Sequence, residues 1–140
     1  MDYNIKNGRV VFVDGVFDLF HFGHLEFLRQ ARYFGEYLIV GIHSDATVEK
    51  YKRRPIIPEY QRYAIIRSIK TVDATIEDSP LEITQKFINK WKISAVVHGD
   101  DAVYPEFYKV PINLGIMRYV PYTKYVSTSL IISMIKNGCV

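Results

Sequence analysis

Five short runs of β-branched and aromatic residues, each parted from the next by a stretch with apolar residues at helical spacing, constrain this chain more than any other feature. Residues 10–13 (Val-Val-Phe-Val) end in Asp14-Gly15, and a short apolar run closed by a turn signal reads as a buried strand. Leu25, Leu28 and Ala31 recur at helical spacing within residues 25–33 and stop before Gly35, which predicts a helix leading into a second strand at 37–42. A helix over 58–70 follows, with Pro58 where its missing N–H costs nothing and Tyr63, Ile66 and Ile69 facing inward, then a strand at 72–76. The next pair is a helix over 80–92, with Leu81, Phe87, Ile88 and Trp91 as its apolar set, and a strand at 94–97. Pro105 and Pro111 forbid one long helix across 101–115, leaving a loop with a turn or two of helix. A fifth strand at 117–120 precedes a helix that Ser127 caps and that runs through Leu130, Ile131 and Ile135 to a stop at Gly138.

Alternation of this kind predicts a doubly wound α/β fold: a five-stranded parallel sheet with helices on both faces and right-handed crossovers. At 140 residues, with no repeat or linker, a single domain over 1–140 is expected. Ligands of such sheets bind beyond the carboxyl ends of the strands, so the turns after Val13, Ile42, Val97 and Val120 are the places to search.

Composition narrows the partners. No run approaches the ~18 apolar residues of a membrane span, and residues 1–7 lack the apolar stretch of a secretory signal. The lone Cys139 has no partner for an internal disulfide, so a reducing, cytoplasmic setting is expected. A net charge of +3 is too mild for nucleic acid as the main partner. Lys50, Lys52, Arg53 and Arg54 crowd together beside Pro55, a patch that is a solvated loop unless the fold carries it to a cleft.

The first turn, Asp14 to His24, holds Gly15 and Gly23 and the histidines His21 and His24 just before a helix. A glycine lets phosphate approach the backbone, a helix N-terminus offers free N–H groups, and imidazoles donate to phosphate oxygens. Two histidines without a third ligand at suitable spacing do not make a metal site, so no protein-held metal is expected. One histidine capping the helix and the other packed is the competing reading.

This segment resembles the HxGH signature of the nucleotidyltransferase superfamily in its cytidylyltransferase version. Lys52 and residues 53–62 are similar to the family segment that runs from a substrate-binding lysine to an arginine on a helix, here Arg62. His98-Gly99-Asp100-Asp101 resembles the cytosine-reading turn, and Val126-Ser127-Thr128-Ser129 the motif that opens the last helix. All four stand in family order, nearly end to end.

The resemblance implies transfer of CMP from CTP to a phosphorylated alcohol with release of pyrophosphate, by in-line attack without a covalent intermediate. It implies that His21, His24, Lys52 and Arg62 carry the chemistry. Gly15, Phe17, Gly23, His98, Asp100, Ser127 and Thr128 would bind the nucleotide, with Asp100 accepting from the cytosine amino group. Magnesium would ride on the triphosphate, and the enzyme would be a homodimer paired through aromatics such as Tyr33, Phe34 and Tyr60. Two positions depart from the family pattern: Tyr122 stands for an arginine and Tyr125 for a glycine, with Lys124 or Arg118 left to compensate.

Asp14, Tyr104 and Tyr108 match the cation site of the phosphocholine enzymes, whereas Leu81 stands where those have tryptophan. Phosphocholine is therefore expected by a narrow margin over phosphoethanolamine. Glycerol 3-phosphate, FMN with ATP, and a nucleotide-binding domain without turnover remain as alternatives.

Overall fold

The computed structural model describes residues 8–100 and 104–138. Asp101 and Cys139 lie outside the described residues. Five strands, β1 (Val10–Gly15), β2 (Tyr37–Ile42), β3 (Ala74–Glu77), β4 (Ala95–Gly99) and β5 (Met117–Val120), form one parallel sheet in the order β3-β2-β1-β4-β5. The helices are α1 (Phe22–Arg32), α2 (Asp45–Glu49), α3 (Glu59–Arg67), α4 (Gln85–Trp91), α5 (Lys109–Asn113) and α6 (Thr128–Lys136).

Alternation along the strands builds two cores. Val11 and Val13 of β1 join Leu38, Val40 and Ile42 of β2 and Val97 of β4 on one face, covered by Leu28 and Ala31 of α1 and Tyr63 and Ile66 of α3. Val10, Phe12, Ile39 and Val96 point the other way and meet Ile83, Ile88, Ile93 and Tyr108. Period-two burial on both faces is what a central parallel strand requires, and it makes the predicted doubly wound architecture.

The chain runs outward from β1 through β2 to β3, returns past β1 to β4, and continues to β5. The reversal falls between β1 and β4, whose pairing is short. Val11 pairs with Ala95 and Phe12 with Val96, whereas β1 and β2 pair along six positions to Gly15 and Ile42. Beyond Phe12 and Val96 the two strands are no longer paired, and a crevice opens at the topological switch point.

Some boundaries differ from the sequence expectation for local reasons. The Thr84 side chain accepts from the Phe87 N–H and starts α4 there, so residues 80–83 are not helical and Leu81 lies off the helix. Ser44 caps the unforeseen α2 by accepting from the Thr47 N–H. Strand β3 begins at Ala74 rather than at Val72. Residues 105–107 and α5, which runs through Pro111, are the turns of helix expected within 101–115. No described helix is long and apolar enough to cross a membrane.

Gly41 shows how closely the second core is filled, since a Cβ there would collide with the Ser79 side chain and lie 2.9 Å from the Phe12 ring. Gly41→Ala is expected to cost about 1–3 kcal/mol of stability through overpacking, read as a lowered urea midpoint with unchanged slope.

Candidate active site

The crevice holds a cavity of about 340 Å³. Its walls come from the ends of β1 and β4, the loop into α1, the basic loop after α2, and the turn into α6. Of the residues expected at a site, Asp14, Gly15, Phe17, His21, Gly23, His24, Lys52, His98, Ser127 and Thr128 line it. A second cavity of about 210 Å³ adjoins it, lined by Tyr104 and Tyr108 and sharing Asp14, Lys52 and His98 with the first.

The two histidines are set by the helix they open. His21 is the N-cap of α1: its Nδ1 accepts from the Gly23 N–H at 3.0 Å, while the His21 N–H donates to Nδ1 of His24 at 3.3 Å. This reciprocal capping box occupies Nδ1 of both rings as acceptor, so in each neutral imidazole the proton sits on Nε2. The rings stack with centroids 3.8 Å apart, and Phe17 and Phe20 flank His24. Burial among these rings, with His21 and Lys52 as like charges and Asp18 opposing, lowers the His24 pKa to about 3. Burial also lowers that of His21. The site therefore presents two neutral N–H donors rather than two cations. The competing reading from sequence was partly right, because His21 does cap the helix, but the same ring also lines the cavity. A Cβ on Gly23 would lie 2.8 Å from Cε1 of His21, so the glycine is the space the ring occupies.

Asp18, unassigned by the sequence, organises the loop facing them. Its buried carboxylate accepts from the N–H groups of Ile56 at 2.8 Å and Ile57 at 2.9 Å and from Arg53 at 3.3 Å. Burial works against its charge, but these donors outweigh it and hold the carboxyl below its ordinary pKa. The Asp18 carbonyl accepts from the Thr128 hydroxyl at 2.8 Å, tying in the start of α6. The basic patch is thus carried to a cleft: Lys52 and Arg53 line the main cavity.

Arg62 takes a different place from the one expected. It is fully buried, lines neither cavity, and donates to the carbonyls of Ile57, Val16 and His43 and to the carboxylate of Asp45 at 2.7–2.9 Å. A guanidinium with four such partners is a strut, because each donor already satisfies an acceptor that would otherwise be orphaned. Asp100 also lies outside both cavity walls, with its Oδ1 accepting from the Tyr122 N–H at 2.9 Å. Arg118 is turned onto the carbonyls of Gly115 and Met117, and neither it nor Lys124 lines the main cavity. Tyr125, in the glycine position of the family pattern, has φ +70° and is 92% exposed, a left-handed conformation that a non-glycine residue holds at some cost.

The two histidines, Lys52, Arg53 and the N-terminus of α6 line one cavity, a set of groups suited to neutralising phosphate oxygens. A family model described as cytidylyltransferase-like matches residues 12–133.

The chain belongs to the cytidylyltransferase-like family.

It is 39% identical over 137 residues to an ethanolamine-phosphate cytidylyltransferase of Dictyostelium discoideum, covering 92% of this chain and 38% of that relative. It is 38% identical over 138 residues to choline-phosphate cytidylyltransferase 2 of Arabidopsis thaliana, covering 89% of this chain and 44% of the relative. The chain therefore spans less than half the length of these cytidylyltransferases. Among solved structures, the lipopolysaccharide core biosynthesis protein from Thermoplasma volcanium matches with a TM-score of 0.69 and 29% identity, covering 85% of this chain and 99% of that one. Arg53, His43 and Tyr51 line the two cavities without having been singled out for them from sequence, whereas Tyr122, noted in the arginine position of the family pattern, lines the main one. Only the density of charge at 50–54 gave a signal for the first of these.

Arg62→Met is expected to lose roughly 3–5 kcal/mol of stability, because it leaves Oδ1 of Asp45 and three carbonyls without their donor; equilibrium urea unfolding reads it. The His24 shift has its own signature. The unfolded chain takes up this proton near the ordinary 6.5 and the folded one only near 3, so stability present above pH 6.5 is lost as pH falls towards 3. His24→Gln, which keeps an acceptor at the same helix position, should flatten that part of the unfolding-versus-pH curve.

Proposed function

We propose that this chain transfers CMP from CTP to a small phosphorylated amino-alcohol, releasing pyrophosphate. The observation that carries this reading is the pair of adjoining cavities meeting at Lys52 and Asp14. One is walled by phosphate-handling groups and the other by a carboxylate and aromatic rings. A phosphate oxygen of the alcohol attacks the α-phosphorus of CTP, the bond to the β-phosphate oxygen breaks, and pyrophosphate leaves as the anion. No covalent intermediate and no proton transfer are needed, so the protein's task is to position the reactants and offset charge.

In this reading the Nε2–H groups of His21 and His24 donate to the α-phosphate as negative charge builds on it. Lys52, at the junction, holds the incoming phosphate on the attack line. The N-terminus of α6, with Ser127 and Thr128, takes the terminal phosphates. Arg53 supplies the cation that Tyr122 does not, since it lines the cavity where Arg118 and Lys124 do not. Arg62 is a positioning residue, joining the turns after β1 and β2. Asp100 has acceptor capacity beyond its bond from Tyr122 and reads the amino group that distinguishes cytosine.

Magnesium accompanies the triphosphate. Among the described residues no group of three or more His, Cys, Asp or Glu converges to hold a metal, and the Asp18 oxygens are taken by Ile56, Ile57 and Arg53. An ion held mainly by nucleotide oxygens and water fits such a site.

The side cavity calls for an acceptor that carries a cation. Asp14 stands among Tyr51, Tyr104, Phe107 and Tyr108, whose faces attract ammonium. Phosphocholine and phosphoethanolamine both meet that description, and relatives named for each are found. The homodimer belongs to the same proposal, with exposed Phe22, Tyr33 and Tyr60 available for contact. Phe34 instead packs against the first core. A cytoplasmic location is proposed with it.

Pyrophosphate release is to be measured with magnesium and CTP or ATP against phosphocholine, phosphoethanolamine, glycerol 3-phosphate and FMN. Release is expected with CTP and an amino-alcohol phosphate, and His21→Ala or His24→Ala should lower kcat by about 10²–10³. Release only with glycerol 3-phosphate or FMN would overturn the substrate class. Silence across the panel with CTP still bound would mark a nucleotide-binding domain without turnover.

A further inference from the structure

Two polar atoms in the side cavity are buried without a hydrogen-bond partner: Oδ2 of Asp14 and Nε2 of His43. Both residues are only 5% exposed, and these two atoms face each other at 3.5 Å. All other polar atoms of the two side chains are engaged. The Asp14 Oδ1 accepts from the Tyr108 hydroxyl at 2.6 Å, and Nδ1 of His43 lies 3.2 Å from the Tyr51 hydroxyl. The backbone of His43 is fixed too, its N–H donating to the Gly15 carbonyl and its carbonyl accepting from Arg62. Neither ring nor carboxylate has slack to find another partner, and a buried polar atom left unpaired is costly.

We propose that His43 determines specificity by pairing its Nε2 with Oδ2 of Asp14 as two acceptors for a primary ammonium, so that phosphoethanolamine is preferred to phosphocholine. This rests on the reading of the side cavity as the amino-alcohol site. In the tautomer that carries its proton on Nδ1, His43 donates to the Tyr51 oxygen and leaves the lone pair of Nε2 as an acceptor beside Oδ2 of Asp14. Burial keeps the Tyr51 phenol protonated and therefore neutral. An ammonium nitrogen about 2.9 Å from each acceptor spans the gap with two of its three N–H groups. The third faces the cavity.

A quaternary ammonium has no N–H. It would leave both acceptors unpaired and sealed from water, while the rings of Tyr51, Tyr104 and Phe107 attract either cation. The aromatic wall therefore binds without choosing, and the acceptor pair chooses. A site built to accept hydrogen bonds from its substrate rejects the analogue without them far more strongly than an apolar pocket rejects extra bulk.

The test needs no variant at first. The wild-type chain is assayed for kcat/KM with phosphoethanolamine and its N-methyl, N,N-dimethyl and N,N,N-trimethyl derivatives. The monomethyl compound still has two N–H groups and should lose little. The dimethyl and trimethyl compounds should fall in successive steps, to about 100-fold or more below phosphoethanolamine. His43→Asn keeps a polar group beside Tyr51 but withdraws the acceptor at Nε2. It should raise KM for phosphoethanolamine at least tenfold, with kcat, the KM for CTP and turnover of the trimethyl compound little changed. His43→Gln, whose amide oxygen reaches the Nε2 position, should restore most of the preference.

A flat methylation series, a preference for the trimethyl compound, or equal loss on both substrates in His43→Asn would each overturn the proposal while leaving cytidylyl transfer intact. If no amino-alcohol phosphate is turned over at all, the underlying reading falls and this proposal with it. CTP binding by calorimetry separates that outcome from a misfolded variant.

Discussion

The guanidinium of Arg62 reaches the Val16 carbonyl beyond β1, the His43 carbonyl beyond β2, the Asp45 carboxylate at the start of α2 and the Ile57 carbonyl before α3. Val16 lies 46 residues from Arg62 in the chain, His43 and Asp45 lie 19 and 17 away, and Ile57 lies five away, and each brings an acceptor that is buried or half-buried. One planar group with donors in fixed directions satisfies them together, which an ammonium could not do. The positions of His43 in the side cavity and of the basic loop at the main one follow from that arrangement. Asp18 completes it from the opposite side, gripping Ile56 and Ile57 with its carboxylate and Thr128 with its carbonyl. A buried cation and a buried anion thus hold the loops that line the cavities.

Strands and turns were legible in the sequence because their signals are local. Val10 to Val13 alternates between two cores, although the strand runs on through Asp14 and Gly15 beyond the expected turn, and Ser127 caps the last helix as its residue type predicts. What the sequence hid was long-range pairing. Arg62 was expected among phosphates because its position in the family pattern suggested it; nothing nearby shows that its acceptors lie as far away as Val16. Asp18 was visible only as a member of a motif, since its partners are 38 and 39 residues further along. Leu81 read both as part of a helical stripe and, by the family pattern, as a member of the cation site; Thr84 starts the helix later, and Leu81 lines the side cavity.

The two cavities divide the work by chemistry. The larger collects donors and cations from loops, where charge can gather without disturbing the cores. The smaller is walled by Tyr51, Tyr104, Phe107 and Tyr108 with one carboxylate at the end of β1, and the atoms left without partners there are Oδ2 of Asp14 and Nε2 of His43. Lys52 stands in both walls. Two phosphates brought together there would share its charge, and the repulsion between them would be offset at the place where they must approach.

In α1 the same imidazole that closes the helix with one nitrogen also lines the main cavity. The donors consequently have no hinge of their own. A phosphate held at Nε2 is coupled through a rigid ring to the first peptide groups of the helix, and through Leu28 and Ala31 to the core beneath it. Ligand binding would stiffen the helix, and fraying of its first turn would switch off both donors at once.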